Sequence, residues 1–237
     1  GRAAARPPVY HSRAEPEKPK ALLLPAVSRC ATHGVAYLNS RGIDDDLIDF
    51  CIRTGRFYES YPQHSAVFVG HDIHGKARYA SIRGIGNDFR GDATGSDKHY
   101  SFSIPAEGSH TLYLFESAID LLSFATERKL DGKQWNKHHL LSLSGVYHPK
   151  KEIQESSLPM ALTQYLGDHP GIQTINLCLD NDATGRIAAN TLKALLSDRY
   201  EMRYAFPKKG KDYNDQLCMR LGRPITRVKD KCERNDA

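Results

Sequence analysis

Apolar and polar positions alternate along the chain in two rhythms. From about His110 to Leu221, short apolar runs and longer amphipathic stretches take turns. TLYLFE, HLLSLSG, IQTINLCLD and EMRYAF read as strands. SAIDLLSFATERK, the segment from Pro159 to Leu166, DATGRIAANTLKALLSDR and DYNDQLCMRLG read as helices. Strands that alternate with helices of about ten residues or more predict a mostly parallel sheet with helices on both faces, an α/β architecture. From about Ala31 to Pro105 the pattern is shorter. His33 to Ser40 reads as a short helix stopped by Arg41 and Gly42. Asp44, Asp45 and Asp46 crowd the start of a second helix, where the positive helix end favours acids. Its apolar stripe is Leu47, Ile48, Cys51 and Ile52, and Gly55 closes it. AVFVGHDIHGKARYASIRG predicts a hairpin around a His-Gly turn. Gly84, Gly86, Gly91 and Gly95, with GDATGSDK, predict a polar loop, and Tyr100 to Ile104 one more strand.

These rhythms divide the chain into a linker over 1–29, a small α+β subdomain over 30–108, an α/β domain over 109–222 and a charged tail over 223–237. Prolines at 7, 8, 16, 19 and 25 forbid a regular helix in the linker. The leading Gly and the charged tail suggest a piece of a longer polypeptide. Apolar residues make up 40% and charged residues 26% of the 237, which favours a globular chain over a disordered one. No apolar run reaches the roughly 18 residues of a membrane-spanning helix, and the first residues lack the apolar segment of a secretory signal. Cys30, Cys51, Cys178, Cys218 and Cys232 form no C-x-x-C pair, so they read as reduced thiols of a cytoplasmic protein rather than a zinc ribbon. The net charge of +5 suits a phosphate-rich partner and equally a solvated surface.

Candidate chemistry gathers at strand ends, where ligands of open α/β sheets bind. TLYLFE ends at Glu116, and INLCLD at Asp180 with Asp182 two residues on. The segment after EMRYAF carries Lys211, Asp212, Asn214 and Asp215. One such acid is more often a helix cap than a ligand. Several at one sheet edge repel one another, and a hard divalent cation such as Mg²⁺ relieves that repulsion.

FESAID, LDNDATG and KGKDYND, in this order, resemble the toprim domain shared by DnaG-type bacterial primases, topoisomerases, RecR-type recombination proteins and certain nucleases. The resemblance covers about half the chain. Glu116 matches the family glutamate, and Asp180 and Asp182 its DxD pair. Asp120 matches the aspartate of the primase Glu-Gly-x-x-Asp, with Ser117 in place of the glycine. Gly145 matches the glycine-bearing strand end. Asp212 and Asn214 stand where primases carry a further acidic pair, and Asn at 214 implies weaker or fewer metal ions. YLNSRGI, RFYES and VFVGHDIHGKARYASIRG are similar to the segment preceding toprim in primases, a helical piece with a small basic β-subdomain lining the polymerase cleft. Both halves together look like the primase-like proteins of plasmids and conjugative elements.

The resemblance implies a toprim fold (Rossmann-like) preceded by a small basic α+β subdomain. It implies Mg²⁺ or Mn²⁺ held by Glu116, Asp120, Asp180, Asp182, Asp212 and Asn214, with Glu116, Asp180 and Asp182 catalytic. The implied partners are single-stranded DNA template and nucleoside triphosphates, with a helicase or relaxase of the same element, and no membrane. Arg83 and Lys98, with Arg78, Arg90 and Lys211, are then the nucleotide- or DNA-binding candidates; plain surface charge is the rival reading. The implied activity is Mg-dependent primer synthesis on single-stranded DNA for a plasmid or mobile element. DNA cleavage by the same carboxylates, or binding by a degenerate toprim module, are the alternatives. His71 and His74 read as turn histidines, His138 and His139 as loop residues, and Trp135 as a loop anchor.

Overall fold

The computed structural model describes residues 21–145, 147–150 and 156–225. Most of the expected linker and tail lie outside these residues. Two short helices open the fold, α1 (Thr32–Ser40) and α2 (Asp45–Arg53). Asp44 caps α2, accepting a hydrogen bond from the Asp46 N–H at 3.0 Å, which satisfies one of the orphan donors at the helix start. Strands β1 (Phe57–Glu59), β2 (Ala66–His71), β3 (Ala77–Arg83) and β4 (Arg90–Asp92) then form an antiparallel sheet in sequential order.

The second sheet has the order β5-β7-β6-β8-β9. Its strands are β5 (Ser103–Ile104), β6 (Thr111–Phe115), β7 (His139–Ser142), β8 (Thr174–Cys178) and β9 (Glu201–Tyr204). All neighbours are parallel except the edge strand β5. Helices α3 (Ala118–Leu130) and α6 (Tyr213–Arg220) cover one face; α4 (Met160–Asp168) and α5 (Ala183–Leu196) cover the other. Period-two alternation sorts the strand residues between them. Leu112, Leu114, Ile175 and Leu177 pack with Leu162, Ala188 and Leu192. Phe115 and Cys178 point the other way, to Ile119, Leu122, Tyr213 and Leu217. This is the α/β architecture the strand–helix rhythm predicts, with helices on both faces.

Three local expectations change. The polar loop contains strand β4, whose exposed Arg90 and Asp92 leave no apolar alternation to read; its pairing with β3 is through the backbone. The strand foreseen over Tyr100 to Ile104 narrows to β5, while the Phe102 carbonyl just before it still accepts from the Ser142 N–H at 3.0 Å. His139, expected on a loop, is the buried first residue of β7, with Nδ1 3.0 Å from the Tyr165 hydroxyl. Trp135 anchors its loop edge-on against Phe50, 5.1 Å between ring centroids.

The two sheets are joined by a common core. Leu38, Leu47, Ile48, Phe57, Phe68 and Phe102 belong to the same buried cluster as Leu121, Leu122 and Leu217. Gly70 of β2 lies against the Ser101 backbone; a Cβ there would stand 2.6 Å from the Ser101 carbonyl carbon. Gly70→Ala is therefore expected to destabilise the protein by about 1–3 kcal/mol through overpacking, read as a lowered urea midpoint with an unchanged m-value.

Candidate metal and phosphate cleft

A cavity of about 550 Å³ opens between the first sheet and the strand ends of the second. Glu116, Asp120, Asp180 and Asp212 line one side, with Ser144 and Gly145. Ser81, Arg83, Arg90 and Asp92 of the β3–β4 ribbon line the other, and Arg41 also reaches it.

Each acid is delivered by a strand end that runs into a helix start. Glu116 follows β6, and its Oε1 accepts from the Asp180 N–H at 3.2 Å, tying adjacent strand ends together. Ser117 caps α3 and places Asp120 in its first turn, where Oδ1 accepts from the Asn214 N–H at 3.3 Å. Asp182 caps α5, accepting from the Gly185 N–H at 2.9 Å, and Asp212 caps α6, accepting from the Asp215 N–H at 2.7 Å. The capping role weighed from the sequence is therefore real for Asp182 and Asp212, and it leaves each carboxylate a second oxygen. Gly185 is required by close approach: a Cβ there would lie 2.2 Å from the Asp180 carbonyl oxygen.

The electrostatics are those of crowded carboxylates. Burial pushes Glu116 up to about 7, assisted by the Asp120 and Asp182 charges. Burial with the Glu116 and Asp212 charges raises Asp180 to about 7. Asp120 and Asp212 are both raised, burial again first. Asp182, more open, is lowered: the Gly185 N–H and Lys211 outweigh its burial. The Lys211 ammonium bridges Asp180 at 3.3 Å and Asp182 at 3.1 Å, and these partners overcome its own desolvation to raise its pKa.

The residues fit a hard divalent cation. The donors are all carboxylate oxygens, the set preferred by Mg²⁺ or Mn²⁺. The lining carries six carboxyl groups against four Lys or Arg. No three of these acids converge within 4.8 Å among the described residues, which suits an ion held by one or two carboxylates with waters or phosphates completing its shell.

The sequence candidates separate on geometry. Glu116, Asp120, Asp180, Asp212, Lys211, Arg83 and Arg90 meet at the cleft, with Asp182 beside them through Lys211. Arg83 and Arg90 are cross-strand partners. Lys98 pairs with Asp92 of the ribbon and lies over the Tyr79 ring at 5.6 Å, one shell back. Arg78 is not part of the cleft lining; it is paired with Asp72 and Asp97 and stacked on Tyr100 at 5.0 Å. Asn214 is buried framework rather than lining: its Nδ2 donates to the Arg41 carbonyl at 2.8 Å and the Ser123 hydroxyl at 2.9 Å. Arg41 escaped sequence reasoning because it reads as the stop of a helix; its charge helps hold down the Asp212 pKa. The basic character expected of the first subdomain is local, since residues 30–108 hold eight Lys or Arg and ten Asp or Glu.

Residues 36–108 match the family described as a protein of unknown function, DUF3991, and residues 113–217 match the family described as Toprim-like. A 65 kDa protein of Zymomonas mobilis is 30% identical over 201 residues, 78% of this chain and 31% of that protein. An uncharacterized Bacillus anthracis protein is 32% identical over 106 residues, 45% of this chain and 27% of that one. The chain thus spans less than a third of the curated relatives it matches. Among solved structures, the primase fragment of the bacteriophage T7 primase-helicase protein superposes with a TM-score of 0.54 at 17% identity, covering 87% of this chain and 79% of that one. The E. coli primase catalytic core gives 0.50 at 16%, covering 81% and 70%. The fold is that of these primase fragments.

Two outcomes are expected. Glu116 and Asp180 have native pKa values above their unfolded ones, so the stability they contribute is full below about pH 4 and is lost as pH rises through about 7. Without divalent cations, Tm should fall between about pH 5 and pH 8, and Mg²⁺ should restore more of it at the higher pH. Lys211→Met should tighten Mg²⁺ binding, measured by calorimetry, because it removes the ammonium that competes for Asp180 and Asp182.

Proposed function

We propose that this chain, a DUF3991 segment followed by a Toprim-like domain, is the catalytic part of a primase-like nucleotidyltransferase that makes primers on single-stranded DNA for a mobile element. One arrangement carries the reading: acids from three strand ends face Arg83 and Arg90 across a single cleft. Asp180 with Asp182, and Asp120 with Asp212, would hold Mg²⁺ or Mn²⁺, which would neutralise charge building on the transferred phosphoryl group. Arg83, Arg90 and Arg41 bind the triphosphate or the template backbone from the opposite side. Glu116, with its pKa near neutrality, takes the proton from the attacking 3′-hydroxyl. The new bond joins that oxygen to the α-phosphorus as the bond to pyrophosphate breaks. Asn214 acts as framework, which limits the acids available to a second ion. Lys98 supports the ribbon through Asp92, and Arg78 has no part in the cleft.

Labelled nucleotide incorporation on single-stranded templates tests this. Asp180→Ala should reduce Mg²⁺-dependent synthesis to below about one-hundredth of wild type while circular dichroism stays unchanged. Full synthesis by that variant would sink the assignment. Fragments released from labelled DNA without added nucleotides would assign hydrolysis instead, and DNA binding indifferent to Mg²⁺ would assign a binding module.

A further inference from the structure

A second constellation lies outside the cleft, where α1, the end of β1 and the β1–β2 loop meet. Glu59, the last residue of β1, is buried at 1% exposure. Its Oε2 accepts from the Gly34 N–H in the first turn of α1 at 2.9 Å. Its Oε1 faces two imidazole nitrogens, the Nδ1 of His33 at 3.0 Å and the Nδ1 of His64. One ligand atom from each of the three lies within 4.8 Å of the others, and among the described residues no other group of three His, Cys, Asp or Glu converges so tightly.

From these residues we infer a binding site for one borderline divalent metal, Zn²⁺ above all, with His33, Glu59 and His64 as ligands and a fourth position open to water. Two imidazoles and one carboxylate form a donor set of the kind that Zn²⁺ takes, and a poor one for Mg²⁺. The geometry is prepared. The carboxylate is fixed from behind by the Gly34 amide, which leaves Oε1 for the ion, an outer-shell support of the kind that orients metal ligands. Gly34 allows that approach: a Cβ there would meet the Phe57 ring at 3.0 Å and the Glu59 Cβ at 3.5 Å. The His33 and His64 side chains are 62% and 43% exposed above a carboxylate that is not exposed at all, so an ion has a path in from solvent. His64 holds φ at +51°, a left-handed conformation unfavourable for a residue with a side chain, and that backbone turns its ring toward Glu59. The rival arrangement has both imidazoles donating a proton to one carboxylate oxygen; a metal ion would replace both protons at once. A metal here would staple α1 to the first sheet, and α1 is followed directly by Arg41, which lines the cleft.

The test is Zn²⁺ binding to the untagged full chain after chelator stripping, by competition with a chromophoric chelator. Wild type should bind one Zn²⁺ per chain in the presence of excess Mg²⁺. The double variant His33→Ala, His64→Ala should lose it by well over the roughly 10–100-fold that loss of an outer-shell partner costs, whereas Asp180→Ala should retain it. Equal affinity in wild type and double variant, or loss in Asp180→Ala instead, would overturn the site. X-ray absorption of the zinc-loaded wild type needs no variant to fold: imidazole scattering from two ligands is expected, and a spectrum without it would equally overturn the proposal.

Discussion

Carboxylates held side by side in a half-dry cleft repel one another, and the architecture of this protein is organised around containing that repulsion. The parallel sheet brings Glu116 and Asp180 to adjacent strand ends, and α6 brings Asp212 beside them. Three helices begin at the cleft, and their N-terminal amides donate hydrogen bonds to Ser117, Asp182 and Asp212. The positive ends of those helices offset part of the negative charge. Lys211 offsets more from between Asp180 and Asp182. What remains appears as raised carboxyl pKa values, a sink for protons or for a divalent cation.

The same constraint explains the joined core. Acids alone would make a cation trap, whereas the proposed phosphate chemistry needs cationic side chains facing them at fixed distance. Arg83 and Arg90 come from the first sheet, and that sheet packs into the same buried cluster as α3 and α6. Asn214 reinforces the joint at the site itself, because its amide clasps the Arg41 carbonyl and its N–H donates to Asp120. An asparagine at a position where an acid was expected is thereby accounted for: a second carboxylate could not donate to the Arg41 carbonyl.

The two proposed cation sites differ in donor type. The cleft offers oxygens spread along its wall, suited to an ion that keeps water or phosphate ligands. The His33, Glu59 and His64 cluster offers convergent nitrogen and oxygen donors at the start of α1, suited to a more tightly bound ion.

Much of this was legible in the chain as written. Strand–helix alternation specified the second sheet because period-two and period-3.6 patterns are local and survive without neighbours. Glu116 and Asp180 could be found because each closely follows an apolar strand. β4 could not be read, since an exposed polar edge strand has no hydrophobic rhythm, and Arg78 could not be told from Arg83 until the tertiary structure paired it with Asp72 and Asp97 away from the cleft. Arg41, Asn214 and the histidine–glutamate cluster were decided only by tertiary structure. Asn214 meets Arg41 across 173 residues and Asp120 across 94, and His33 meets Glu59 across 26. Contacts of that separation leave no periodic trace; they exist only once a common core has brought their elements together.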